Sequence, residues 1–271
     1  MNKTLPDWGR KPDATTDENR IPAIDTSKLP SSPPAWANFS EPGPQDGLIP
    51  TWSFSTLDKA ETCMYSVYLS KVEKAPRVES PAAERGTMLH DLAEQYTRGN
   101  LDELPKELRK HYERAFSDLR DLYSQGLVTC EEDWGYTTEW EPTGFFDDDT
   151  WARMKLDVLV MENETSARVI DHKSGRPYPM KHNQQGQLYT IGTFLRYPKL
   201  EFVQTEFWYI DKSPQPATNK YTREQAMMFL PKWTQRALRL TKAKKFEPNP
   251  SASNCKFCDH NKSGYCDYRV G

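Results

Sequence analysis

The stretch "RVIDHKSG", residues 168–175, decides how this chain is read. It is an apolar strand interrupted by an acid and a base. Asp171 and Lys173 stand two apart, so on a strand both side chains leave the same face. A surface ion pair would account for them at ~0–1 kcal/mol. The surrounding sequence argues for more.

Asp157 lies in "WARMKLDVLVM" (151–161), fourteen positions before Asp171. Both segments read as strands, and the polar "ENETS" (162–166) between them suits a hairpin turn. The hairpin would bring the two carboxylates together at neighbouring strand ends. A hard divalent cation such as Mg²⁺ needs that arrangement, because it takes oxygen ligands and keeps several waters. The backbone carbonyl of His172 is a natural further ligand. Lys173 would hold or deprotonate an attacking water and offset negative charge on a phosphate. Glu139, on a strand expected over "GYTTEWEP" (135–142), is an additional acidic candidate.

The 271 residues suit one large domain or two small ones, and a formal charge of −3 gives no global basic field. Nine of the twenty-one prolines fall in residues 1–50, which read as a disordered or extended tail; folded structure is expected over 51–271. No apolar run reaches the ~18 residues of a membrane span, and the N-terminus lacks an apolar signal core. A soluble, cytoplasmic protein of bacterial or viral type, without a membrane partner, is expected. A short helix capped by Ser55 should lead to Cys63. Further helices are expected over 82–99, with Leu89, Leu92, Ala93 and Tyr96 on one face, and over 107–126, closed by Gly126. After "ARVIDHK" (167–173) come a crossing helix in 183–198, a strand in 201–210 and a helix kinked at Pro231. That order describes an α/β/α sandwich around a mixed β-sheet.

"RGTMLH" (85–90), "KLDVLV" (155–160), "VIDHKSG" (169–175) and "QGQLY" (185–189) occur in the order of the RecB-type branch of the PD-(D/E)XK nucleases, and the chain resembles that family over about residues 52–268. Gly86 and His90 match its G-x-x-x-H helix, Asp157 its acidic strand end, Asp171 and Lys173 its (D/E)-x-K strand, and Gln185 and Tyr189 its Q-x-x-x-Y helix. The resemblance implies Mg²⁺- or Mn²⁺-dependent hydrolysis of phosphodiester bonds. It makes His90, Asp157 and Asp171 metal ligands, Lys173 catalytic, and Gln185 and Tyr189 DNA-facing. One departure is Met154, where family members often carry Gly.

The five cysteines are 63, 130, 255, 258 and 266, the last three in "CKFCDHNKSGYC". C-x2-C generically suggests zinc, with Cys63, Cys130, His111 or His260 completing the set. The resemblance extends to a subset, including the AddB nuclease domain and a CRISPR-associated group, that holds a [4Fe–4S] cluster. One cysteine precedes the nuclease core in that subset and three follow it. The match makes Cys63, Cys255, Cys258 and Cys266 cluster ligands and leaves Cys130 an ordinary thiol; a final gap two residues longer than usual keeps zinc as the alternative.

Arg223, Lys232, Arg236, Arg239, Lys242, Lys244 and Lys245 form a late basic ridge, read either as a solvated helix back or as a phosphate track. The expected function is a DNA exonuclease acting on single-stranded or free-ended DNA in recombination, repair or replication. A recombinase or single-strand binding protein is an expected partner. The alternatives are a flap or single-strand endonuclease and a non-catalytic DNA-end binding protein. No helicase phosphate loop occurs.

Overall fold

The computed structural model describes residues 47–76 and 80–270. The expectation for the proline-rich tail therefore lies, except for residues 47–50, outside the described residues.

The chain opens with β1 (Trp52–Ser53), α1 (Phe54–Thr62) and α2 (Met64–Lys71). Ser53, and not Ser55, caps α1, its hydroxyl accepting the Thr56 N–H at 3.4 Å. Helix α3 (Pro81–Thr97) begins with Ser80 as cap and a proline in its first turn, a pairing worth ~1 kcal/mol over an apolar cap. Gly99, at φ +82°, follows its end, as Gly126, at φ +74°, follows α4 (Lys106–Ser124). Both take the left-handed conformation that closes helices at low cost.

The strands are β2 (Val128–Tyr136), β3 (Pro142–Thr143), β4 (Ala152–Met161) and β5 (Ser166–Lys173), then β6 (Phe202–Tyr209) and β7 (Ala217–Thr222) beyond helix α5 (Pro179–Arg196). They form one seven-stranded mixed sheet in the order β3-β2-β4-β5-β6-β7, with β1 beside β4. The hairpin joining β4 to β5 forms as its sequence suggests, antiparallel with Val158 opposite Ile170. Asn163 supports the turn by accepting the Thr165 N–H at 2.9 Å. β5 and β6 run parallel, so the chain must cross over between them, and α5 is that crossover.

Two helical layers bury the sheet. Leu188, Ile191 and Phe194 of α5 join Trp52, Leu57 and Trp233 in one core against Leu156, Leu159 and Val169. On the other side α4 stacks Tyr112 on Trp208 at 4.9 Å and packs Phe116 against the same ring at 5.4 Å. Burying each such side chain contributes ~1.5–3 kcal/mol. The α/β/α arrangement is the expected one.

Two further local expectations are corrected. "GYTTEWEP" is mostly turn: the strand lies earlier, over β2, and the chain reverses at Thr137–Glu141, where the Thr137 N–H donates to Glu141 O. Pro231 does not kink a long helix. It sits in the first turn of α7 (Leu230–Thr241), after the separate α6 (Arg223–Met227), where its missing N–H removes no helical bond. β7 escaped sequence reading because "ATNKYT" has alternating exposure but few apolar residues.

Candidate active site

The antiparallel pairing of β4 with β5 runs from Met161↔Ala167 to Val158↔Ile170. Asp157 and Asp171 come one residue later on each strand, where the ladder ends. On its other side β4 pairs with β2 at Cys130↔Val158 and Glu132↔Leu156, so Glu131 stands level with Asp157. Glu131 has φ +55°, a left-handed conformation that a side chain adopts only with strain. The alternation of β4 slips at the same level. Met154, Leu156 and Leu159 all reach one core, an odd step between the last two. A bulge-like irregularity therefore turns Asp157 and Glu131 out of the regular sheet, as bulges near active sites do.

His90 reaches this point from α3. Its Nδ1 lies 3.2 Å from Asp157 Oδ2, which also accepts the His172 N–H at 2.7 Å. One ligand atom each of His90, Glu131 and Asp157 lies within 4.8 Å of the others. Oxygen and imidazole donors at this spacing suit a small divalent cation. The electrostatics agree. Burial pushes the Glu131 carboxyl up to about 7, and the neighbouring Asp157 charge adds to the shift. Burial works against charge on His90 as well, but the hydrogen bond and charge of Asp157 prevail and raise it to about 9. Asp157 itself is held low despite its burial, by His90 and the His172 N–H. Acids crowded to this degree leave negative charge that a bound cation would offset.

Asp171 belongs to an adjoining network. Lys173 Nζ lies 2.5 Å from its Oδ1, while Oδ2 accepts from Tyr189 Oη at 2.9 Å and Gln185 Nε2 at 3.2 Å. Gln185 Oε1 in turn accepts from Lys173 Nζ at 3.2 Å. Four side chains thus close a ring, with Gln185 and Tyr189 one helical turn apart on α5. Burial raises the Asp171 carboxyl, and the nearby Asp157 adds to this against the pull of Lys173.

Two of the sequence expectations change here. Tyr189 is 5 % exposed and its hydroxyl is bound to Asp171, so it braces the acid from within. Gln185 shares that bracing role, and both residues also line a surface groove. Glu139 lies in the turn after β2, its carboxylate accepting from Thr138 at 2.7 Å; Glu131 is the β2 acid at the centre. Sequence alone offered no sign of this, since only the β2–β4 register distinguishes Glu131 from Glu132 and Asp133.

Other residues fall as follows. The His172 ring is buried against Phe116 and Trp208, and burial lowers its pKa to about 4, so it stays neutral. Gly86 on α3 passes Ser174, just beyond Lys173; an added Cβ would meet its hydroxyl at 3.4 Å. Met154 is accommodated by a glycine elsewhere, since a Cβ on Gly192 of α5 would come within 2.6 Å of its sulfur.

Cys63, Cys255, Cys258 and Cys266 line one small cavity, together with His260, and Cys258 Sγ lies 3.6 Å from Ser66 Oγ. Burial raises the Cys266 thiol, helped by the other three sulfurs. His260 bonds Ser70 through Nε2 at 2.8 Å. Cys130 is far from this group in role: it is buried in β2, and burial pushes its thiol up to about 12.

The basic ridge is only partly available. Arg223 donates to four carbonyls at the end of α5, those of Phe194, Tyr197, Pro198 and Leu200. Arg236 pairs with Glu61 at 2.7 Å and stacks on Trp233. Both are structural. Lys232, Arg239, Lys244 and Lys245 remain exposed.

Among solved structures the chain is similar to SSO0001, with 16 % identity over 82 % of this chain and 88 % of that one and a TM-score of 0.44. A protein from Eubacterium rectale described as an exonuclease gives 13 % identity, coverages of 78 % and 88 %, and a TM-score of 0.44. The alkaline exonuclease LHK-Exo of Laribacter hongkongensis, in complex with dAMP, gives 14 %, 73 %, 90 % and 0.38. No curated protein sequence matches the chain. The model of the PD-(D/E)XK nuclease superfamily matches residues 51–268. With that span and an acidic centre of this composition, the chain belongs to the PD-(D/E)XK nuclease superfamily.

Proposed function

We propose that the protein is a Mg²⁺- or Mn²⁺-dependent deoxyribonuclease that hydrolyses DNA from its ends. The observation that carries this reading is the meeting of Asp157, Asp171 and Lys173 where β4 and β5 part, with His90 and Glu131 closing the other side. His90, Asp157, Asp171 and the carbonyl of His172 would hold the metal, and Glu131 adds a further carboxylate. A divalent ion there supplies Lewis acidity and lowers the pKa of a bound water.

The chain's own groups do the rest. Lys173, held by Asp171 and Gln185, places a positive charge beside the scissile phosphate and orients the attacking water. That water forms the new P–O bond, the ester P–O bond breaks, and the departing sugar oxygen takes up a proton. Tyr189 and Gln185 keep Asp171 in one orientation, so its carboxylate would meet the metal without reorganisation.

The reading extends to a [4Fe–4S] cluster on Cys63, Cys255, Cys258 and Cys266, acting as a structural clasp. Support comes from their convergence on one cavity, although Cys63 stands 192 positions before Cys255. DNA is the proposed partner, single-stranded or with free ends, in recombination, repair or replication.

The test uses purified protein with Mn²⁺ on end-labelled linear DNA and covalently closed circles. Degradation of linear molecules alone is expected. Equal cleavage of circles would replace the exonuclease with an endonuclease, and binding without cleavage would reduce the protein to a DNA-end binder.

A further inference from the structure

Beside the catalytic ring lies a groove of about 390 Å³. It begins at Gln185 and Tyr189, passes Ser53 and Ser55 at the start of α1, and ends at Phe145 and Arg153. Its volume is in the lower range for sites that take one small ligand, far below what a duplex requires.

The far end of this groove is unusual in composition. Phe146, just outside the groove in the adjoining cleft that shares Arg153, is 79 % exposed, and its ring meets that of Phe145 edge to face at 4.9 Å. The Arg153 guanidinium lies against both rings, 5.1 Å and 5.4 Å from their centroids. Among the described residues its Nε is buried without a hydrogen-bond partner. An exposed phenylalanine is unremarkable on a loose loop, but this loop is braced. Asp147 accepts from Thr143 Oγ1 at 2.8 Å and from the Gly144 N–H at 2.7 Å, and Thr150 Oγ1 donates to Gly144 O at 2.7 Å. The fold holds an apolar face in water beside a cation.

We infer that this groove takes an unpaired DNA strand next to the scissile phosphate, with a base stacked on Phe146 and the backbone followed by Arg153. Nucleic-acid bases offer a π-face to an aromatic platform whatever their sequence, and arginine adds to such stacks. Asp147, Asp148 and Asp149 follow Phe146 directly. Their charge would repel phosphates on that side, which favours a base at Phe146 and the backbone on the Arg153 side. The inference rests on the nuclease reading for the identity of the polymer, and it narrows the substrate to strands already unpaired at the site.

The test measures binding in EDTA, where cleavage is silent, using two fluorescent probes of equal length: oligo-dT and an abasic oligonucleotide with the same phosphates. Phe146→Ala should bind oligo-dT about tenfold more weakly, the order expected for loss of one stacked base. It should bind the abasic strand as the wild type does, and Phe146→Trp should restore affinity for oligo-dT. Arg153→Ala should weaken both probes. Unchanged oligo-dT binding by Phe146→Ala, or equal loss on both probes, overturns the stacking platform while leaving the nuclease reading intact. Failure of the wild type to cleave any DNA with Mn²⁺ would sink the nuclease reading without touching this comparison. Circular dichroism of each variant separates loss of fold from loss of contact.

Discussion

Tyr189 donates its hydroxyl proton to Asp171 Oδ2 at 2.9 Å from a ring that is almost wholly buried. The phenol is kept neutral, its pKa raised well above the ordinary value by burial and by the Asp171 charge. It therefore remains a donor over the whole working pH range. Tyr189→Phe should lower kcat by roughly tenfold and leave the KM for DNA nearly unchanged, since a buried bond to a charged acceptor is worth ~1.5–3 kcal/mol. Steady-state kinetics on a labelled linear strand decides this. A rise in KM at constant kcat would return Tyr189 to the DNA surface.

Asp171→Ala and Lys173→Ala should each abolish cleavage while the fold persists, because both sit at the C-terminal end of the central strand β5 and neither belongs to the hydrophobic core. Chelation should silence the wild type. Cleavage that survives in EDTA would remove the mechanism.

Much of this site was legible in the sequence, because its ligands ride on regular elements. The i, i+2 step of Asp171 and Lys173 and the i, i+4 step of Gln185 and Tyr189 both follow from strand and helix periods. The hairpin between β4 and β5 was equally clear from its polar turn. Glu131 was not, since its position depends on the non-local pairing of β2 and on a left-handed φ that no residue preference signals. The interior role of Tyr189 was hidden for a similar reason. Helical spacing shows which side chains share a face but not whether that face meets a strand or solvent. Arg223 shows the reverse case, a cation that reads as surface charge until four carbonyls claim it.

Glu131→Gln should weaken Mn²⁺ binding by several-fold, measured by calorimetry without DNA, because it removes one carboxylate from the group. The same variant should be more stable than wild type in chelator, since an uncharged amide relieves repulsion against Asp157. Unchanged metal affinity would reduce Glu131 to a bystander.

The clasp should declare itself by colour. Protein prepared without oxygen should absorb broadly near ~400 nm and carry about four irons, as four thiolates imply. Cys63→Ala should lose both colour and stability, whereas Cys130→Ala, whose thiol lies buried in β2, should keep the colour. Stoichiometric zinc in colourless protein would replace the cluster.

The pH dependence of stability should invert with metal. In the folded chain Glu131 titrates at about 7, against an ordinary 4.5, and His90 at about 9, against 6.5. Each group then holds more protons folded than unfolded, Glu131 between pH 4.5 and 7 and His90 between 6.5 and 9. Stability falls with pH wherever the folded state is the more protonated. The favourable His90–Asp157 contact is fully present below pH 6.5 and lost as pH passes 9. In EDTA the melting temperature should therefore decline steadily from about pH 5 to pH 9. A bound cation requires these same ligands deprotonated, so saturating Mn²⁺ should stabilise more as pH rises and flatten or reverse the slope. His90→Gln should remove the upper part of the decline and weaken the Mn²⁺ effect together. Parallel slopes with and without Mn²⁺ would mean that the cation does not bind at His90 and Glu131.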